Sequence, residues 1–283
     1  MLRKSTVART RRRWPLAAVA AVLSAWAVGA SGAPGKHRKA PPPDDLPTQV
    51  NNVARQLWGV PLDESAPLTS QVQKLVLDHM TQWINAQPPG GQTREEAGDV
   101  SYNLKLRHEL EILFADLRYP IYDSVATFDR TLAGQPVIGL GYTLGWSDFD
   151  RANVVAIFET NGGSWRQVAV SHFVPDTDLN FRFLAPPPGH SDELWFLAYG
   201  TRLGKSNPRL SAILYSFDGT TLQQLWRTTD VYDGRLSFTG NRVVISYLRE
   251  DELKQAIINR TPAVRHEAAY QIMPKGLEIQ YDR

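Results

Sequence analysis

The sequence has no cysteine. Disulfides, thiolate zinc sites, a cysteine nucleophile and a lipidated cysteine are therefore excluded, and the fold has to rest on a hydrophobic core. Long apolar runs are missing after the first thirty residues, so no later segment is expected to cross a bilayer. Surplus charge is also scarce, with 31 Lys and Arg against 29 Asp and Glu. Six of the basic residues (Arg3, Lys4, Arg9, Arg11, Arg12, Arg13) fall within residues 1–30, which hold no acid, so the remainder carries 25 basic against 29 acidic residues, a net of −4. The basic surface that a nucleic-acid partner needs is absent. What the chain does have is 42% hydrophobic residues, eight tryptophans and ten tyrosines, the composition of a globular protein.

Residues 1–30 read as a secretory signal peptide. Arg11, Arg12 and Arg13 precede the apolar run Trp14 to Ala27, and Val28 with Ala30 supplies the small-residue spacing for cleavage near Ser31. Thr10 to Trp14 loosely resembles a twin-arginine signal, but Pro15 stands where leucine is usual, which favours Sec export. An uncleaved anchor is the alternative. The expected location is periplasmic or extracellular, with no integral membrane span after cleavage. Residues 31–50, rich in proline and carrying the basic cluster Lys36-His37-Arg38-Lys39, read as an extended linker.

Residues 51–130 carry helical signals. Thr69 or Ser70 can cap a segment in which Val72, Leu75, Val76, Met80, Trp83 and Ile84 share one face, ending before Pro88. Thr93 with Glu96 forms a capping-box pattern for a second helix with the stripe Tyr102, Leu106, Leu110, Leu113, Phe114 and Leu117. The two are expected to pack as a hairpin against a further surface.

Residues 131–283 change character, with short runs of aliphatic and aromatic residues separated by Gly, Asn and Asp turns. This predicts eleven consecutive antiparallel strands, starting at Val137 and ending at Tyr281. Three hairpins repeat: Gly162, Gly219 and Gly276 stand 57 residues apart, and the same shift superposes Leu140 on Leu197 and Tyr142 on Tyr199. In the third unit Val243 to Leu248 is displaced by an insertion, Arg249 to Glu267. A strand-rich repeat of this length is what a four-stranded propeller blade needs. If the units are equivalent, Ile157 and Leu214 point into the same inter-sheet layer, with Ala156 and Ile213 on the opposite face. The fold class expected is α+β: an N-terminal helical hairpin, then an antiparallel all-β region of about three blade-like units, forming an incomplete propeller or a sandwich.

Within residues 194–248, the hairpin Leu214 to Thr228 (LYSFDGTTLQQLWRT) and the segment Gly234 to Tyr247 (GRLSFTGNRVVISY) resemble blades of the quinoprotein-like (PQQ-repeat) β-propellers. The resemblance implies blade-like sheets. The chain departs from the pattern in having three units and in placing Asp218-Gly219-Thr220 where the family's turn carries a Thr-Gly pair.

Catalytic motifs are incomplete. His108-Glu109 and His266-Glu267 begin like a zincin helix, but Ile112 and Tyr270 replace the second histidine. Ser164, in Gly162-Gly163-Ser164-Trp165, lacks the glycine of a nucleophile elbow and falls in an expected hairpin turn. Asp148-Phe149-Asp150 resembles the start of a calcium loop but lacks the third carboxylate and the glycine, and Asp176-Thr177-Asp178 lies one hairpin later in a similar loop position. No metal site and no cofactor are expected. The loop aromatics Trp146, Phe149, His172, Phe173 and Tyr232 mark a candidate binding face. The reading is an exported, non-catalytic binding or scaffolding protein whose partner is an envelope protein or polysaccharide. The alternative is a hydrolase of an envelope or extracellular polymer that uses two of Asp148, Asp150, Asp176 and Asp178 as paired carboxylates.

Overall fold

The structure is a computed structural model that describes residues 45–87, 102–118, 120–147, 150–173, 175–202, 208–240 and 242–283. The expected signal peptide, the linker as far as Asp44 and the Thr93/Glu96 capping pattern lie outside the described residues.

Three helices come first: α1 (Leu46–Leu57), α2 (Ala66–Ala86) and α3 (Tyr102–Ala115). The end of the expected linker is helical. Asp45 caps α1 by accepting from the Thr48 amide at 2.9 Å, and Pro47 falls in the first turn, where it lacks only an amide hydrogen that has no helical partner there. The start of α2 also lies earlier than the Thr69 or Ser70 cap suggests. Ser65 holds the N-cap position, and the Thr69 hydroxyl instead donates to the Ala66 carbonyl. The expected face of α2 is correct, with Val72, Val76, Met80 and Ile84 fully buried, as are Leu106 and Leu110 of α3.

Twelve antiparallel strands follow in three sheets of four, each a meander of consecutive strands. Sheet 1 holds β1 (Tyr122–Leu132), β2 (Gln135–Gly145), β3 (Val154–Asn161) and β4 (Ser164–Ser171). Sheet 2 holds β5 (Thr177–Leu184), β6 (Leu194–Arg202), β7 (Arg209–Phe217) and β8 (Leu222–Tyr232). Sheet 3 holds β9 (Arg235–Thr239), β10 (Arg242–Leu248), β11 (Arg265–Met273) and β12 (Gly276–Asp282), with α4 (Glu250–Asn259) inserted between β10 and β11. The strand not foreseen is β1, so the β region begins at Tyr122, before residue 131.

The layers stack in order. Helices pack on one face of sheet 1, where they meet Leu140, Tyr142, Ala156 and Phe158. The other face of sheet 1, with Val155 and Ile157, meets Phe196, Ile213 and Tyr215 of sheet 2. Sheet 2 in turn presents Leu197, Ala212 and Leu214 to Val243, Ile272 and Leu277 of sheet 3. The molecule is thus an open stack of three blade-like units with a helical cover at one end.

The three repeat glycines fall at the hairpins that join the third and fourth strands of their sheets, Gly162 and Gly219 within the turn at φ of +60° and +96°, and Gly276 as the first residue of β12, paired with Met273, at φ +128°. Left-handed backbone of this kind favours glycine because it has no Cβ. Two expectations need correction. Ile157 and Leu214 face the following sheet in their respective units, so they occupy successive layers instead of one. The 57-residue shift also fails on the second strand, because Gly139 pairs with Ile157 whereas Leu197 pairs with Leu214. Leu140 therefore faces the helices and Leu197 faces sheet 3. The stretch from Leu197 to Leu214 is one residue shorter than that from Gly139 to Ile157, and a one-residue slip moves a side chain to the opposite face.

Candidate functional site

The predicted site residues that are described belong to one end of the sheets, opposite the Gly162, Gly219 and Gly276 hairpins, because the β2–β3, β4–β5 and β8–β9 connections lie there. Asp148 and Phe149 lie outside the described residues. Asp150 closes a tight turn: its Oδ2 accepts from the Ser147 hydroxyl at 2.8 Å, and its own amide donates to Ser147 Oγ at 2.9 Å. Asp176 has 0% exposure and lies 2.9 Å from Arg151 Nη1. Its carbonyl accepts from the Thr143 hydroxyl at 2.9 Å, while Asn153 Nδ2 donates to the Pro175 carbonyl at 3.0 Å. This network fastens the β4–β5 connection onto sheet 1. A buried, ion-paired carboxylate such as Asp176 has no surface from which to act on a polymer. Asp178 is exposed, at φ +54°, and accepts from the Thr177 hydroxyl at 3.1 Å.

Two of the aromatics go inward. Trp146 joins the core between helices and sheet 1, and Phe173 the core between sheets 1 and 2. Burying such a ring removes more apolar surface from water than an exposed loop position would. His172 is exposed, with Nδ1 3.2 Å from Gln73 Nε2 of α2. The remaining candidate, Tyr232, lines an open cleft.

That cleft lies between sheets 2 and 3 and has a volume of about 390 Å³. Sheet 2 supplies Arg209 from the start of β7 and Asp230 and Tyr232 from the end of β8. Sheet 3 supplies Tyr247 and Tyr270, and Glu250 and Asp251 open α4 above it. The two tyrosines share a face because β10 and β11 are paired in the register Val243 to Tyr270 and Tyr247 to His266. Arg209 organises one wall. It reaches Asp230 at 3.0 Å and Glu250 at 3.1 Å, and its guanidinium stands 5.3 Å from the centre of the Tyr232 ring. Lys254 first, then Arg209, hold the Glu250 carboxyl below its usual range by hydrogen bonding. On the other wall the Tyr247 hydroxyl donates to Asp282 Oδ1 at 2.5 Å. Burial first, and the Asp282 charge second, raise the Tyr270 hydroxyl pKa. Burial and the bond to Asp282 do the same for Tyr247.

His266 anchors α4 over this cleft through Glu252 Oε2 at 2.6 Å. Arg265 ties the start of β11 to the β8–β9 turn and to β10, bonding Asp233 and the Ser246 hydroxyl. The insertion that breaks the sequence repeat is therefore the roof of the cleft. Arg209, Tyr247, Tyr270 and Asp282 were not singled out from the sequence. Their signal was the period-two alternation Ile245, Tyr247 and Ala268, Tyr270 beside an insertion.

The sequence matches no known protein-family model, and no curated protein matches it. Among solved structures, a complex of BT0996 with RGII aligns with a TM-score of 0.29 and 9% identity over 57% of this chain and 58% of that one. The α-L-arabinofuranosidase Arb93A from Fusarium graminearum, in complex with an iminosugar inhibitor, aligns with a TM-score of 0.29 and 10% identity over 58% of this chain and 48% of that one. The chain thus spans about half the length of the solved structures it resembles.

Proposed function

We propose that this chain is an exported, non-catalytic binding protein of the cell envelope, and that a polysaccharide enters the cleft between sheets 2 and 3. The observation that carries the reading is the lining: tyrosine rings beside Val231, Ile245 and Leu248, ringed by Arg209, Asp230, Glu250 and Asp282. A sugar needs both an apolar platform for its ring faces and fixed hydrogen-bonding groups for its hydroxyls, within a cavity of roughly 300–1,000 Å³. The three described aspartates of the hydrolase alternative support the same reading, since Asp150 and Asp176 are tied into the β2–β3 and β4–β5 connections and Asp178 into a turn.

Co-sedimentation of the full chain with insoluble envelope polysaccharide tests this. Tyr247→Ala should lower the bound fraction while His172→Ala, outside the cleft, leaves it unchanged, with the melting temperatures of both variants recorded. Undiminished binding by Tyr247→Ala would remove the cleft from the reading. Release of new reducing ends by the wild type would replace binding with hydrolysis.

A further inference from the structure

Charge around the cleft does not balance. Its lining holds the cations Arg209 and Arg249 and the anions Asp230, Glu250, Asp251 and Asp282. Both guanidiniums are already engaged, Arg209 with Asp230 and Glu250, and Arg249 with Glu252 at 3.3 Å. Asp282 receives a hydrogen bond from a neutral donor, the Tyr247 hydroxyl. Asp251 is exposed at the rim, on the first turn of α4.

A negative cleft can take a metal ion or an organic cation, and the geometry separates them. Calcium and its relatives want several oxygens converging at about 2.3–2.6 Å. Among the described residues no three His, Asp or Glu side chains converge as a metal group. The carboxylates are instead spread around apolar and aromatic surface. That arrangement suits a cation carried on a bulky body, with the body on the tyrosines and the charge between carboxylates, where cation–π attraction adds to the ion pair.

Building on the reading of this cleft as the binding site, we propose that it selects a positively charged, amine-bearing sugar. The ammonium group lies between Asp251 and Asp282, and the sugar ring lies on Tyr247 and Tyr270. The primary amine of such a sugar is protonated in mildly acidic solution, where the test is run, and then donates up to three hydrogen bonds. N-acetylation removes the charge and leaves a single donor.

Titration calorimetry of the full chain with a β-1,4-glucosamine tetramer, its fully N-acetylated counterpart and spermine is the test. The glucosamine tetramer should bind about 10- to 100-fold more tightly than the acetylated one, the range expected for a hydrogen bond to a charged group, and Asp251→Asn should remove most of that difference. Asp251 is exposed, so the variant is expected to fold, and Asp282→Asn provides the second measurement. Equal affinity for the two tetramers, both lost in Tyr247→Ala, would overturn the charge selection and leave the cleft as the site. Tetramer binding unchanged in Asp251→Asn, Asp282→Asn and Tyr247→Ala would overturn both. Spermine binding as tightly as the glucosamine tetramer would overturn recognition of the sugar ring.

Discussion

Val168 of β4 and Leu225 of β8 are the same residue of the repeat, 57 positions apart, and each is the extra residue of a β-bulge. In sheet 1, Ile157 pairs with Ala169 and Phe158 with Gln167, which leaves Val168 between them. In sheet 2, Leu214 pairs with Trp226 and Tyr215 with Gln224, which leaves Leu225. A bulge bends its strand and increases local twist, so two successive sheets are bent at one equivalent place. Sheet 3 bulges too, between Ala269 and Tyr270, leaving out Gln280. That position lies two residues earlier in the unit, close to the tyrosine that lines the cleft.

Leu214 is the first test of this arrangement. Its side chain is fully buried between sheets 2 and 3, as Ile157 is between sheets 1 and 2. Leu214→Ala should cost about 2–5 kcal/mol, the range for a truncated core leucine that leaves a cavity. Urea denaturation checks it. A cost below about 1 kcal/mol would mean that sheets 2 and 3 are not packed as described.

Arg151 and Asp176 provide a second test, on the network that holds the β4–β5 connection. Arg151→Met leaves the fully buried Asp176 carboxylate without its guanidinium and should cost about 3–5 kcal/mol, because breaking a buried pair strands a charge. Adding Asp176→Asn removes that charge and should recover part of the loss. Denaturant midpoints of the two single variants and the double variant give the coupling, and purely additive losses would contradict the pairing.

The repeat's hairpins were legible because their glycines adopt positive φ and recur at a fixed spacing, and the faces of α2 and α3 because aliphatic residues recur at helical spacing. Other elements were hidden for physical reasons. In β1 the burial pattern does not alternate strictly, and the exposed Asp129 and Arg130 mask the strand. In α1, proline at the first turn made the segment read as linker. The cleft was hidden because it depends on which faces of sheets 2 and 3 meet, and a one-residue difference in spacing between the second and third strands of sheets 1 and 2 reverses the inference. Trp146 and Phe173 stand at the right end of the right strands, yet only the packing of the layers decides that such rings turn inward.

Asp218 sets an expectation for pH. The Thr221 amide first, then the Thr220 amide, hold its carboxyl below the usual 3.8 by hydrogen bonding in the turn before β8. The folded pKa is thus below the unfolded one, so the charged form stabilises the fold fully above the unfolded value, and this contribution is lost as pH falls through the folded value. Asp218→Ser keeps a neutral acceptor and should flatten the acid limb of stability below about pH 4, with wild type and variant running parallel above about pH 6. Thermal melts from about pH 2 to 7 read this out. Because the carboxyl is largely exposed, the difference should be small, and a variant with an unchanged acid limb would contradict the assignment.

Gly139 makes the sharpest steric prediction. It occupies in sheet 1 the place that Leu197 fills in sheet 2, since each pairs with the equivalent residue of the next strand, Ile157 or Leu214. The missing side chain is replaced by the Phe128 ring of β1, which lies across the glycine so closely that an added Cβ would fall 1.9 Å from its Cε1 atom. Phe128 has little room to give way, with the rings of Phe181, Phe183 and Phe196 at 5.2, 4.9 and 5.3 Å. Gly139→Ala should therefore act as overpacking and destabilise by about 1–3 kcal/mol, although alanine ordinarily favours a strand interior over glycine. Gly59→Ala, where an added Cβ meets nothing within 4 Å, is the control and should change stability by less than about 0.5 kcal/mol. The double variant Gly139→Ala with Phe128→Leu separates sterics from backbone effects, because the smaller side chain makes room for the methyl group. If Gly139→Ala costs as much in the Phe128→Leu background as in the wild type, the ring is not what occupies the glycine's place.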